Sequence, residues 1–204
     1  MVHRKAPIAP LLLIFLWGGN AFAGKYNPTL SIGDRAPEWR NLEGIDGEQH
    51  SLGDYESADV LVVVFTSNTC PYAHDYESRL KQLKAKFSEE KKVKLIVLNP
   101  NAVRDDSLDA MKSYAKEKKF DFTYLKDEDG QVASSYGALR TPECFVNDRN
   151  RKITYMGAFD NHTNAEQVTA KYVEAAIDAA LEGKAPAVQE TPPVGCLIRQ
   201  RRKR

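Results

Sequence analysis

Val60-Leu61-Val62-Val63-Val64-Phe65-Thr66-Ser67-Asn68-Thr69-Cys70-Pro71-Tyr72-Ala73 is the stretch that decides the fold. Its first six residues are continuously apolar, rich in β-branched side chains and too few for a core helix, which predicts a central strand buried on both faces. After Cys70-Pro71 the pattern changes. Apolar residues recur at Tyr72, Tyr76, Leu80, Leu83 and Phe87, in steps of four and three that mark one face of a helix. Pro71 suits the first helical position, where no amide donor is required. Cys70 therefore falls at a strand-to-helix junction, where unpaired amides and the helix dipole favour a thiolate.

Working outward, Trp39 to Leu52 alternates weakly around a turn at Asp46-Gly47, which predicts an entry hairpin. Lys94 to Asn99 gives a second buried strand, and Asp106 or Ser107 is placed to cap a helix carrying Leu108, Met111, Tyr114 and Ala115. Strand, helix, strand, helix in this rhythm implies parallel, right-handed crossovers. Phe120 to Leu125 reads as a further strand, and Val132 to Tyr136 as a short helix stopped by Gly137. Cys144 to Val146 and Ile153 to Met156 read as an antiparallel hairpin at one side of the sheet. The last helix is expected to open with a capping box at Thr163-x-x-Glu166 and to run through Val168, Tyr172, Val173, Ile177 and Leu181 to Gly183. Lys184 to Pro193 reads as a linker to Cys196.

A chain of 204 residues, 42% apolar and 28% charged, suits one soluble domain with short appendages. His3, Arg4 and Lys5, an apolar run from Ile8 to Trp17 and the small-residue pattern Ala21-Phe22-Ala23 read as an export signal over residues 1–23, which predicts a periplasmic or secreted protein. An uncleaved anchor is the alternative. Removing Arg4 and Lys5 takes the net charge from +1 to −1, which argues against a nucleic-acid binder. Arg199, Arg201, Arg202, Lys203 and Arg204 form a basic tail, expected to be solvated or to touch an anionic surface.

Three cysteines leave at least one thiol without an internal partner. Ala73 occupies the position three residues after Cys70, so a local dithiol is excluded. Cys144, beside Phe145 and Val146, reads as a small core hydrophobe. His74 lies one helical turn beyond Cys70 and reads as exposed. The two together are too few ligands for a metal, and neither a metal nor a cofactor is implied. Tyr72 is expected to pack beside the thiol and shape access to it.

A Val-rich strand ending at Phe65, a cysteine five residues later at the mouth of a helix, Thr141-Pro142 before a hairpin and a terminal amphipathic helix together resemble a thioredoxin fold over about residues 29–183. Residues 184–204 would then form a linker and basic tail carrying Cys196. Gly33-Asp34-x-Ala36-Pro37, Phe65-Thr66-x-x-x-Cys70-Pro71-Tyr72, Arg140-Thr141-Pro142-Glu143 and Gly195-Cys196 resemble the redoxin and peroxiredoxin-like branch related to alkyl hydroperoxide reductase and thiol-specific antioxidant proteins. The resemblance implies an α/β fold with a central mixed sheet flanked by helices. It also implies a cis Pro142 facing Cys70, with the backbone of Thr141 able to pair with an extended substrate. Ser67, three residues before the cysteine, and Arg140 correspond to residues that support a peroxidatic thiolate.

These residues lead to three expectations. In the first, an exported thiol oxidoreductase uses Cys70 to attack disulfides, and Cys196 or an external thiol donor resolves the mixed disulfide. The second is a thiol peroxidase acting on hydroperoxides, with Ser67 and Arg140 orienting the peroxide. The third is a redox-inert binding module. Cys196 has three readings: a resolving thiol, a static structural partner of Cys70, or a residue unrelated to it.

Overall fold

The structure, a computed structural model, describes residues 23–88 and 92–200. The expected export signal, Ala23 apart, and the last four basic residues lie outside them.

Among the described residues, nine strands and four α-helices follow in chain order: β1 (Leu42–Gly44), β2 (Gln49–His50), β3 (Val60–Phe65), α1 (Pro71–Ser88), β4 (Val93–Asn99), α2 (Leu108–Lys118), β5 (Thr123–Lys126), α3 (Gln131–Tyr136), β6 (Arg140–Thr141), β7 (Glu143–Asn147), β8 (Ile153–Gly157), α4 (Tyr172–Leu181) and β9 (Cys196–Leu197). Seven strands form one sheet in the order β2-β1-β5-β4-β3-β7-β8, and β6 pairs with β9 apart from it. β3 runs parallel to β4 and antiparallel to β7, and β4 runs parallel to β5. This is the thioredoxin-like mixed sheet that the sequence predicts.

The position of β3 follows from its composition. Val60, Val62 and Val64 pack with Tyr76, Leu80, Leu83 and Phe87 of α1 and with Val173, Ala176 and Ile177 of α4. Leu61, Val63 and Phe65 face the opposite layer, with Trp39, Leu52, Tyr136 and Phe145. All six residues of β3 are buried, and each large apolar side chain so covered contributes about 2 kcal/mol relative to exposure. A strand apolar on both faces has no stable place at a solvent-facing position, so β3 lies mid-sheet. Its C-terminal end then carries Cys70 to the sheet rim.

Two elements differ from the sequence reading. Residues 165–167 form a separate 3-10 turn capped by Asn164, whose side chain accepts from Glu166 N–H at 2.9 Å, and α4 begins only at Tyr172. No Thr163–Glu166 capping box forms, because the Asn161 side chain bonds Thr169 and both Thr169 and Ala170 amides and holds the intervening chain in a loop. β5 begins at Thr123, past Phe120. Of the two candidate caps for α2, Ser107 is the one that forms, accepting from Ala110 N–H at 3.4 Å.

The stretch read as a linker runs as a strap along the outer edge of β8. Met156 N–H donates to the Gln189 carbonyl at 3.0 Å, and Thr191 N–H returns a bond to Met156 at 3.1 Å. The Glu190 carboxylate accepts the backbone amides of Lys25, Tyr26 and Asn27, so the entry segment clasps the strap. Gly157 permits the close crossing: its φ is +130°, and a Cβ there would lie 2.2 Å from the Thr191 carbonyl oxygen. Gly157→Ala is therefore expected to lose at least about 2 kcal/mol of unfolding free energy in urea denaturation, from backbone strain and displacement of the strap. An unchanged urea midpoint would show that the crossing yields freely.

Candidate active site

Cys70 closes the loop between β3 and α1 and is 1% exposed. Its carbonyl accepts the His74 amide at 3.2 Å, so the residue sits at the mouth of α1 as expected. The thiol donates to the Thr141 carbonyl at 2.9 Å. The Thr141-Pro142 peptide is cis, as the resemblance implies.

Thr141 is in register with Cys196 across the β6–β9 pair, and Arg140 with Leu197. This pairing sets Cys196 beside the peptide whose carbonyl accepts the Cys70 thiol, so the two cysteines meet at Thr141. Burial, followed by the neighbouring Cys70, pushes the Cys196 thiol above its ordinary value, and the Tyr72 amide and Arg199 oppose the shift. Cys70 is buried and Cys196 half-buried.

The loop holding Cys70 is fixed by a residue that the sequence reading treated as a helix cap. Asp106 is fully buried. One carboxylate oxygen accepts from Ser67 Oγ at 2.9 Å, Thr69 Oγ1 at 2.8 Å and Asn101 Nδ2 at 3.1 Å. The other accepts from Asn68 N–H at 2.6 Å and Asn99 Nδ2 at 2.7 Å. Asn68 is further held by Tyr124, whose hydroxyl donates to its side chain at 2.8 Å, and its carbonyl meets His74 Nε2 at 2.6 Å. Asn101 extends this network to the C-terminal strap, since its Oδ1 accepts Arg199 N–H at 2.8 Å.

The remaining site candidates separate. The Ser67 hydroxyl belongs to the Asp106 network, and the Arg140 guanidinium donates to the Gly195 carbonyl at 2.7 Å. Cys144 lies wholly in the core between the sheet and α4, and burial holds its thiol well above the ordinary value. Tyr72 is 43% exposed. His74 is exposed and stacks on Tyr114 with ring centroids 5.9 Å apart. Among the described residues no cluster of three or more His, Cys, Asp or Glu side chains is arranged to hold a metal.

Glu143 also escaped the sequence reading, beyond its place in the motif. It is 2% exposed, and its Oε2 accepts Leu139 N–H at 2.8 Å and Arg140 N–H at 3.0 Å, fixing the segment that presents Thr141 to both thiols. Burial pushes its carboxyl up to about 7, against the pull of those amides and of Arg140. A charged residue opening an otherwise apolar strand was the signal available in the sequence.

The pattern of the AhpC/TSA family matches residues 32–156, which span β1 to β8 and include Cys70, Thr141 and Pro142. The chain belongs to the AhpC/TSA family. It is 32% identical over 111 residues to Peroxiredoxin Bcp of Escherichia coli K12, a match taking in 54% of this chain and 66% of that protein, just under two thirds. An uncharacterized conserved protein from Geobacillus kaustophilus superposes with a TM-score of 0.80 at 29% identity, covering 87% of this chain and 96% of its own. A Chlorobium tepidum protein described as Thiol:disulfide interchange protein DsbE superposes with a TM-score of 0.55 at 27% identity, over 63% of this chain and 85% of its own. Peroxiredoxin-like and thiol-disulfide oxidoreductase relatives thus meet in this AhpC/TSA chain.

Two outcomes follow from the buried carboxylates. Asp106→Ala strands buried donors from the loop that ends in Cys70 and from the chain around the end of β4, and is expected to cost at least about 3 kcal/mol in chemical denaturation, with faster native-state alkylation of Cys70. A loss below about 1 kcal/mol would remove Asp106 as the anchor of the loop. Folded Glu143 keeps its proton to about pH 7, whereas its ordinary value is 4.5, so the native state binds more protons between these values. Stability therefore falls as pH rises through that window, by roughly 3 kcal/mol for a shift of this size. Glu143→Gln abolishes that decline, and parallel stability–pH profiles for variant and wild type would exclude it.

Proposed function

We propose that the protein is an exported thiol-disulfide oxidoreductase in which Cys70 is the nucleophile and Cys196 the resolving thiol. The observation that carries this reading is the meeting of two cysteines, Cys70 from the loop before α1 and Cys196 from the C-terminal strap, at the cis Thr141-Pro142 peptide. The pair is asymmetric. Cys70 is buried at the mouth of α1, whereas Cys196 is half-buried on the strap with its proton affinity raised.

The Cys70 thiolate attacks one sulfur of a substrate disulfide. The substrate S–S bond breaks, Cys70 forms a mixed disulfide, and the first thiolate leaves and takes up a proton. Cys196 then loses its proton to solvent and attacks Cys70 Sγ, which releases the second substrate thiol and leaves a Cys70–Cys196 disulfide. The substrate has gained two electrons and the protein has lost two. An external thiol donor returns them by a further thiol–disulfide exchange. Export of the chain would place this chemistry in a compartment where disulfides persist. The reading N-terminal to residue 24, with its charged, apolar and small-residue order, supports that location.

Hydroperoxide reduction is the second reading, favoured by the likeness to Peroxiredoxin Bcp. There the Cys70 thiolate would take one peroxide oxygen as sulfenic acid, the other leaving as alcohol or water, and Cys196 would condense with it to the same disulfide and water. The engagement of Ser67 by Asp106 and of Arg140 by Gly195 supports disulfide exchange over peroxide orientation.

Cys70→Ser is expected to abolish turnover of a model disulfide, and Cys196→Ser to stall as a mixed disulfide visible by intact mass. Turnover surviving Cys70→Ser would end both readings. Oxidation of Cys70 by hydrogen peroxide much faster than that of a free thiol at equal thiolate fraction would favour the peroxidase.

A further inference from the structure

We infer that the chain's own segment Gly195–Ile198 occupies the backbone edge at Leu139–Thr141 where an extended disulfide substrate would pair, so that with β9 docked Cys70 serves small oxidants and admits extended peptides only when β9 lifts. The inference rests on the assignment of Cys70 as nucleophile and adds the substrate class.

The edge is filled along its length. Cys196 and Leu197 lie antiparallel to Thr141 and Arg140, Ile198 N–H donates to the Leu139 carbonyl at 3.0 Å, and the Arg140 guanidinium takes the Gly195 carbonyl. A strand edge offers one row of donors and acceptors, and recognition of an extended peptide by strand addition uses that same row. The occupant also puts a cysteine sulfur beside Cys70, which is what a disulfide-bearing peptide would have to do.

The contact is short. β9 pairs over two residues and Leu197 is 64% exposed, so the half-buried Ile198 just beyond it is the apolar side chain of the segment that packs against the core. Its polar anchors lie at both ends: Arg140 with Gly195 at the near end, and Arg199 with Asn101 and Ala102 and Gln200 with Ser134 at the far end. Close approach at the near end depends on Gly195, where a Cβ would stand 2.0 Å from the Thr141 carbonyl oxygen and 2.6 Å from its carbon. Any side chain at residue 195 would push β9 away from the edge.

The test uses full-length Cys196→Ser protein, in which Cys70 has no internal partner. Single-turnover formation of the Cys70 mixed disulfide is followed with two probes. One is dithiobis(nitrobenzoate); the other is an extended peptide whose central cysteine carries the same nitrobenzoate disulfide. In each, Cys70 thiolate attacks the probe sulfur and thionitrobenzoate leaves. Adding Gly195→Ala, or separately Ile198→Pro, which deletes the donor to Leu139, is expected to raise the peptide-to-small-probe rate ratio about tenfold, equivalent to about 1.4 kcal/mol. A ratio unchanged in both variants, with circular dichroism showing the fold intact, overturns the inference and leaves Cys70 as the nucleophile. Failure of Cys70 to react with either probe in any variant overturns the nucleophile assignment, and the inference with it.

Discussion

A carboxylate with no access to water must find its solvation in protein donors, and Asp106 finds five. Those donors come from the loop that ends in Cys70, from the last residue of β4 and from the loop that follows it, so satisfying one buried carboxylate fixes the two loops against each other at the sheet rim. The reactive junction is thereby held by side chains of the adjacent crossover as well as by its own backbone. Asn101 carries the constraint further, since its amide nitrogen serves Asp106 and its oxygen serves Arg199 of the strap. The loop of Cys70 and the segment of Cys196 thus share one polar network.

The second constraint is steric. The strap crosses the sheet edge at Gly157 and the cis-proline segment at Gly195, and at both points backbone lies where any Cβ would be. These glycines set the height at which the C-terminal segment rides over the domain. At Gly195 that height decides whether the two sulfurs meet, while Glu143 holds the opposing segment by its backbone amides. Charge, turn and close approach act on the same few residues.

What was legible in the sequence follows from periodicity. β3, α1, β4, the β7–β8 hairpin and the place of Cys70 all come from local patterns of burial, which a sheet with two covered faces imposes on the chain directly. The start of α4 was misread because Thr163 and Glu166 satisfy a local capping pattern, whereas the bonds from Asn161 to Thr169 and Ala170 that hold the loop join residues eight and nine apart. Asp106 looked like a cap for the same reason: nothing local separates a cap from a carboxylate solvated by another loop. The strap looked like a linker because its hold on the domain is made of backbone bonds and glycine crossings, which leave no apolar period.

The unequal burial of the two sulfurs gives the proposed cycle a direction. Once they are joined, an external thiolate approaching from solvent meets Cys196 first, because Cys70 stays beneath it at the helix mouth. Attack at Cys196 expels the Cys70 thiolate at the mouth of α1. Access selects the half-buried sulfur, so reduction returns the nucleophile to its site while the donor is held on the strap. The strap is also the displaceable element, so a mixed disulfide formed there can move away from the domain without opening the core around β3.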